Sequence, residues 1–218
     1  MKIIFSLKIP DLLSVANCLF GFGGAVLALF GWTEAAVVMV LLAAVCDGVD
    51  GMMARRSSPS EIGFHLDSLA DLISFGLVPA LISSSHFRET WPVFLAGGVY
   101  LTAGMLRLAR FSLTSHERKD FEGLPITAAG VTIASAILLD QPHLTVLIML
   151  ALAALMVSTL PYPKIRDPRL AAVLGGIGLI AVAAMWWEKD TIAFGLVIFL
   201  SMIPYLVSPV MLCRQMGK

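Results

Sequence analysis

Four aspartates, Asp47, Asp50, Asp67 and Asp71, fall within residues 47–71 of a chain whose flanking segments are almost entirely apolar. Asp47 and Asp50 are spaced i, i+3, and Asp67 and Asp71 are spaced i, i+4. On helices each pair shares one face. Gly51 and Ala54 extend the first face with minimal bulk, so a ligand could approach the backbone there. Gly63 and Ser74 extend the second by one turn each way. The polar link "RRSSPSEIG" reverses the chain, which makes the two helices antiparallel neighbours with four carboxylates between them. A charge at the centre of a membrane helix costs about 2.5–3.5 kcal/mol on insertion scales, and like charges add repulsion. Divalent cations relieve both, and oxygen-only ligands suit Mg²⁺, Mn²⁺ or Ca²⁺. Four acids suffice for two ions about 3.5–4 Å apart, an arrangement used in phosphate chemistry. His65 is read as a polar interface residue, so zinc is not expected.

Other readings of the cluster fit less well. A solvated patch predicts Lys and Glu mixed along the helices, whereas the acids here are all Asp at one-turn spacing. A cation transporter or proton relay predicts acids facing across the midplane and paired broken helices with pseudo-symmetry. Neither is legible in the sequence. A purely structural membrane protein leaves the four-aspartate spacing unexplained.

The elements that must position these residues are membrane helices. The 218 residues are 58% hydrophobic and 14% charged, against roughly 25% charged in ordinary globular domains. Mean hydropathy is +0.89. The expected fold is an all-α integral membrane bundle forming a single domain over residues 1–218. Eight apolar segments lie near 11–31, 35–55, 64–85, 91–113, 124–139, 143–160, 169–187 and 191–212. Most approach the ~20 residues that span a hydrocarbon core. The aspartate stretch 47–71 occupies spans two and three, and 124–218 holds the C-terminal spans. Fusion of the fifth and sixth segments across "DQPH" would reduce the count, to as few as six.

Loop charge supports eight spans. With both termini on one side, that side receives 13 of the 15 Lys and Arg residues, and the other receives Arg88 and Lys189. Such a bias marks the basic side as cytoplasmic. Trp32, Trp91, Trp186 and Trp187 then form an aromatic belt at the opposite interface. The first apolar run reads as a span and not as a cleaved leader. Net charge is zero, so nucleic acid is not an expected partner. Cys18, Cys46 and Cys213 show no CxxC spacing and read as helix-packing residues. "GFGGA" at 21–25 and "GGIG" at 175–178 point to close helix contact.

The stretch "DGVDGMMARRSSPSEIGFHLDSLAD" resembles the signature of the CDP-alcohol phosphatidyltransferases, D-x2-D-G-x2-A-R-x8-G-x3-D-x3-D. Asp47, Asp50, Gly51, Ala54, Arg55, Gly63, Asp67 and Asp71 fill its fixed positions, with seven residues instead of eight between Arg55 and Gly63. Further stretches are similar to the serine-using branch of that family: "IPDLLSVANCLFGF", "LDSLADLISFGLVPA", "LRLARFS" and "FEGLPITAAG". Departures are Asp11 and Ser112 where Asn is usual, and Thr127 where Pro is usual.

The resemblance implies a membrane enzyme that takes a phosphatidyl or archaetidyl group from CDP-diacylglycerol or CDP-archaeol. It transfers that group to the hydroxyl of L-serine and releases CMP. The resemblance also implies that Asp47, Asp50, Asp67 and Asp71 hold divalent metal, two ions of Mg²⁺ or Mn²⁺, with Ca²⁺ as a further option. Asp71 also acts as base. Arg55 contacts phosphate, and Gly51, Ala54, Gly63, Asn17 and Ser60 are expected at the CDP-lipid. Arg107 and Arg110, near the inner end of span four, are candidates to grip the serine carboxylate. Ser74 and Phe75 are candidate pocket walls, and Phe121, Gly123, Leu124 and Pro125 a turn over the site. Glycerol 3-phosphate or an inositol phosphate remains an alternative acceptor within the same family, with Arg118 and Lys119 as added basic groups. Membrane lipid surrounds the chain, the active site faces the cytoplasm, and the resemblance implies a homodimer.

Overall fold

The computed structural model describes residues 8–54, 62–113, 121–162 and 190–216. Helix α1 is Ile9–Leu29 and α2 is Thr33–Ala54. Next come α3, Gly63–Asp71, a π-helical segment, Leu72–Leu77, and α4, Val78–His86. Helix α5 is Trp91–Leu113, α6 is Ile126–Ile137, α7 is Pro142–Val157 and α8 is Thr191–Met216. Five segments are long and apolar enough to cross a membrane by length and composition: α1, α2, the continuous run Gly63–His86, α5 and Thr191–Pro209 of α8. The chain is thus a mostly helical membrane protein, as the composition predicts.

The expected spans over 124–139 and 143–160 are shorter helices than expected. Helix α6 has 12 residues, about 18 Å at ~1.5 Å per residue, against a hydrocarbon core of ~30 Å. It is buried along nearly its whole length, including Ile126, Gly130, Ile133 and Ile137. A helix apolar on every side belongs in a core, and α6 packs against α2, α4, α7, α8 and the π-helical segment. Helix α7 has 16 residues and packs on α5. The two are not fused across "DQPH": the chain turns there, with Asp140 at φ 53°, a conformation that Asp tolerates better than most residues. The expected span over 169–187, with Trp186 and Trp187, lies outside the described residues. So do Arg118 and Lys119.

One departure from an all-α architecture is a two-residue antiparallel pair. Phe121 opposes Tyr162 and Glu122 opposes Pro161. It ties the segment before α6 to the segment after α7.

Helix α1 explains how the N-terminal half assembles. Its buried residues are Asp11, Ser14, Asn17, Gly21, Gly24 and Ala28. Their spacing of three or four makes one stripe, polar at the start and small toward the end. The Lys8 backbone N–H donates to Asp11 Oδ2 at 2.7 Å, which closes the helix start. A Cβ added at Gly24 would meet Val78 of α4 at 3.1 Å and the Ala36 carbonyl of α2 at 3.3 Å, so close approach requires glycine. Small residues allow such contact where lipid removes the hydrophobic drive between helices.

The π-helical segment follows directly after Asp71. The Val78 N–H reaches back five residues to the Ile73 carbonyl. Its cause is legible in "SFGLVP". Pro79 has no N–H to give the Phe75 carbonyl four residues earlier. Tyr100 of α5 replaces that donor, its hydroxyl donating to the Phe75 carbonyl at 2.7 Å.

The opposite end of the bundle is closed by His86. Its Nδ1 shares a hydrogen bond with Thr33 Oγ1 and its Nε2 one with Asp140 Oδ1, each at 3.0 Å. Trp32 and Trp91 sit at that end, 64% and 69% exposed.

Candidate active site

Helices α2 and α3 bring the aspartates together. Ligand oxygens of Asp47, Asp67 and Asp71 all lie within 4.8 Å of one another. Asp50 stands outside that group, one turn from Asp47 and 4% exposed. It interacts electrostatically with Asp67 and Asp47. His65 is exposed and packs edge-on against Phe64, with ring centroids 5.6 Å apart.

Three of the four acids accept a hydrogen bond from another helix. Ser14 Oγ donates to Asp50 Oδ2 at 2.9 Å. Asn17 Nδ2 donates to Asp71 Oδ1 at 3.1 Å. Thr127 Oγ1 of α6 donates to Asp47 Oδ2 at 2.9 Å. Asp67 Oδ1 is buried and has no hydrogen-bond partner among the described residues. Burying such an atom is costly unless a ligand satisfies it. The orphaned oxygen, the convergent carboxylates and the oxygen-only donor set all fit a hard divalent cation.

Among the described residues, Arg107 of α5 is the cation whose charge acts on these acids. Its side chain is 7% exposed and interacts electrostatically with Asp47, Asp67 and Asp71. The guanidinium also lies 5.5 Å from the Phe111 ring centroid and interacts with Tyr205 of α8. Arg110 has a different setting. It donates to the carbonyls of Glu122, Ser158 and Val157 at 2.8, 2.9 and 3.0 Å, and to that of Met156 at 3.3 Å. It therefore ties the C-terminus of α7 to the strand before α6, where the last carbonyls of a helix need donors.

The remaining candidates are distributed as follows. Asn17 is buried on Asp71, and its backbone carbonyl accepts from Ser74 Oγ at 3.0 Å. Ser74 thus joins α1 to the π-helical segment. Phe75 is 0% exposed, and a Cβ added at Gly130 would meet its Cβ at 2.7 Å. Both are packing residues behind Asp71. A Cβ added at Gly51 would meet nothing within 4 Å among the described residues, so that face is open. Ala54 ends α2 and Gly63 begins α3. Arg55 and Ser60 lie outside the described residues. Gly123, at φ +80°, turns the chain into α6, with Leu124 buried behind it.

Sequence reasoning did not assign Ser14, Tyr100, Thr127 or Tyr205. Ser14 had a signal, the stripe Asp11, Ser14, Asn17 at spacing three. The Thr127 signal was its departure from the family pattern. Tyr100 and Tyr205 carried none, since their partners are distant in the chain.

The fold and site define a class: an apolar helical bundle with an all-aspartate centre where α2 ends and α3 runs. The chain belongs to the CDP-alcohol phosphatidyltransferase family, whose family model matches residues 7–188. It is 38% identical over 170 residues to an archaetidylserine synthase of Methanothermobacter thermautotrophicus, covering 75% of this chain and 73% of that one. It is 30% identical over 161 residues to a CDP-diacylglycerol–serine O-phosphatidyltransferase of Bacillus subtilis, covering 72% and 91%. A protein of that same name from Methanocaldococcus jannaschii is 29% identical over 160 residues, covering 72% and 75%.

Proposed function

We propose that this enzyme transfers a phosphatidyl or archaetidyl group from a CDP-linked lipid to the hydroxyl of L-serine and releases CMP. The observation that carries the reading is the convergence of Asp47, Asp67 and Asp71 within 4.8 Å. The names of its relatives supply the acceptor.

Asp47, Asp67 and Asp71 would hold the divalent cation, Mg²⁺ or Mn²⁺, with Asp50 completing the set for a second ion. When bound, such cations neutralise pyrophosphate charge and orient the lipid phosphate. The chain's own residues do the rest. Asp71 takes the proton from the serine hydroxyl, whose oxygen bonds to the lipid-side phosphorus. The bond from that phosphorus to the bridging oxygen breaks, and CMP leaves. Asn17 fixes the plane of the Asp71 carboxylate through its 3.1 Å bond. Arg55 contacts phosphate, and the open face at Gly51 and Ala54 admits the nucleotide. Gly63, Ser60 and Asn17 complete the donor side. Arg107 is the better placed of the two arginines to meet the serine carboxylate, because its charge acts on Asp47, Asp67 and Asp71. The basic end, with both termini and the acids, faces the cytoplasm, and the enzyme works as a homodimer. Support for this orientation is the loop-charge bias. The lipid's acyl chains stay in the bilayer while its head group reaches the acids.

The test is CMP release by the purified protein with CDP-diacylglycerol or CDP-archaeol and one acceptor at a time. Release is expected with L-serine. Release with glycerol 3-phosphate or an inositol phosphate, and none with serine, overturns the acceptor assignment.

A further inference from the structure

We propose that Thr127 is a positioning residue that fixes Asp47 in its ligating orientation, so that α6 sets part of the metal geometry. The inference rests on Asp47 being a metal ligand, as proposed above.

Asp47 stands near the end of α2, where its carboxylate could rotate freely about two torsions. The 2.9 Å bond from Thr127 Oγ1 to Oδ2 removes that freedom. It leaves the other oxygen of the carboxylate able to ligate. Hydrogen bonds from outer groups commonly orient ligating side chains and strengthen metal binding.

The mount of Thr127 is stiff. It is the second residue of α6, one place after Ile126, which is 0% exposed. Just upstream, the Gly123 N–H donates to the Leu160 carbonyl at 2.9 Å and the Leu124 N–H to the Leu155 carbonyl at 3.1 Å. Arg110 grips the Glu122, Met156, Val157 and Ser158 carbonyls of the same corner. A Cβ added at Gly123 would strike the Met156 carbonyl, so the corner has no slack. The hydroxyl of Thr127 is therefore carried by a part of the chain that cannot drift relative to α7.

The three outer bonds divide the work by element. Helix α1 reaches Asp50 and Asp71 through Ser14 and Asn17. Helix α6 reaches Asp47 through Thr127.

The full-length protein in detergent is titrated with Mn²⁺, and free Mn²⁺ is read by electron paramagnetic resonance. Thr127→Val keeps the shape and removes the hydroxyl. It is expected to weaken Mn²⁺ binding about 10-fold or more, with the melting temperature of the metal-free protein little changed. Thr127→Ser is expected to recover most of the affinity. Should the Val variant not fold, Thr127→Ala against Thr127→Ser makes the same comparison. Equal Mn²⁺ affinity of the Val variant and the wild type overturns the proposal, and so does a Ser variant as weak as Val. A wild-type protein that binds no Mn²⁺ sinks the metal-centre reading itself, and this inference with it.

Discussion

Asp71 carries the most constrained chemistry of the four acids. It is 7% exposed, bonded to Asn17, and within 4.8 Å of ligand oxygens from Asp47 and Asp67. Replacing its carboxylate by an amide removes the proton acceptor and keeps the shape. Asp71→Asn is expected to lower CMP release by about 100-fold or more, the usual scale for losing a general base. Mn²⁺ binding should persist, since Asp47 and Asp67 remain. Near-normal CMP release by this variant would refute the base assignment. At this scale the acids were legible because their spacing is local: i, i+3 and i, i+4 place side chains together whatever surrounds them. The arginines were not separable in the same way. Arg107 and Arg110 are three residues apart on α5. A small rotation around the helix sends one toward the acids and the other to the carbonyls of α7.

Among the elements, the π-helical segment is the one that sets how the site is backed. It begins one residue after Asp71 and is gripped from three sides. Gly21 of α1 approaches Ser74, Gly130 of α6 approaches Phe75, and Tyr100 of α5 bonds the Phe75 carbonyl. A Cβ at Gly130 would lie 2.7 Å from Phe75 Cβ and 2.8 Å from its Cα. Backbone and not a flexible side-chain end stands in the way, so Gly130→Val must move α6 or the segment. Overpacking of this kind costs about 1–3 kcal/mol. The expected result is a lower melting temperature in detergent, with reduced CMP release because Asp71 moves with the segment. An unchanged melting temperature would show that α6 does not pack on Phe75 this closely. From sequence, 64–85 reads as one regular span, because the donor that compensates for Pro79, Tyr100, arrives from another helix.

Across the whole molecule, the acids create a repulsion that the fold alone does not offset. Among the described residues, the cation whose charge acts on Asp47, Asp67 and Asp71 is Arg107. A ligand that binds the folded chain stabilises it by mass action, about 2.7 kcal/mol at a concentration 100 times its Kd. Adding Mn²⁺ to protein stripped with a chelator is therefore expected to raise the melting temperature. Asp47→Asn combined with Asp67→Asn should abolish that rise and make the metal-free protein more stable than wild type. No shift in the wild type on adding Mn²⁺ would contradict cation binding by this cluster.

The sequence by itself determined the membrane class, the acid spacing and the family, because hydropathy, helical period and a signature motif are all read along the chain. Apolarity alone did not say which segments cross a bilayer. An apolar segment satisfies a protein core as well as it satisfies lipid, so composition could not mark α6 as a short central helix. Tertiary structure decided that, and it decided which polar group meets which acid. Ser14, Asn17 and Thr127 reach their carboxylates across 36, 54 and 80 residues of sequence. Contacts over such separations follow from how the helices pack, and no local pattern encodes them.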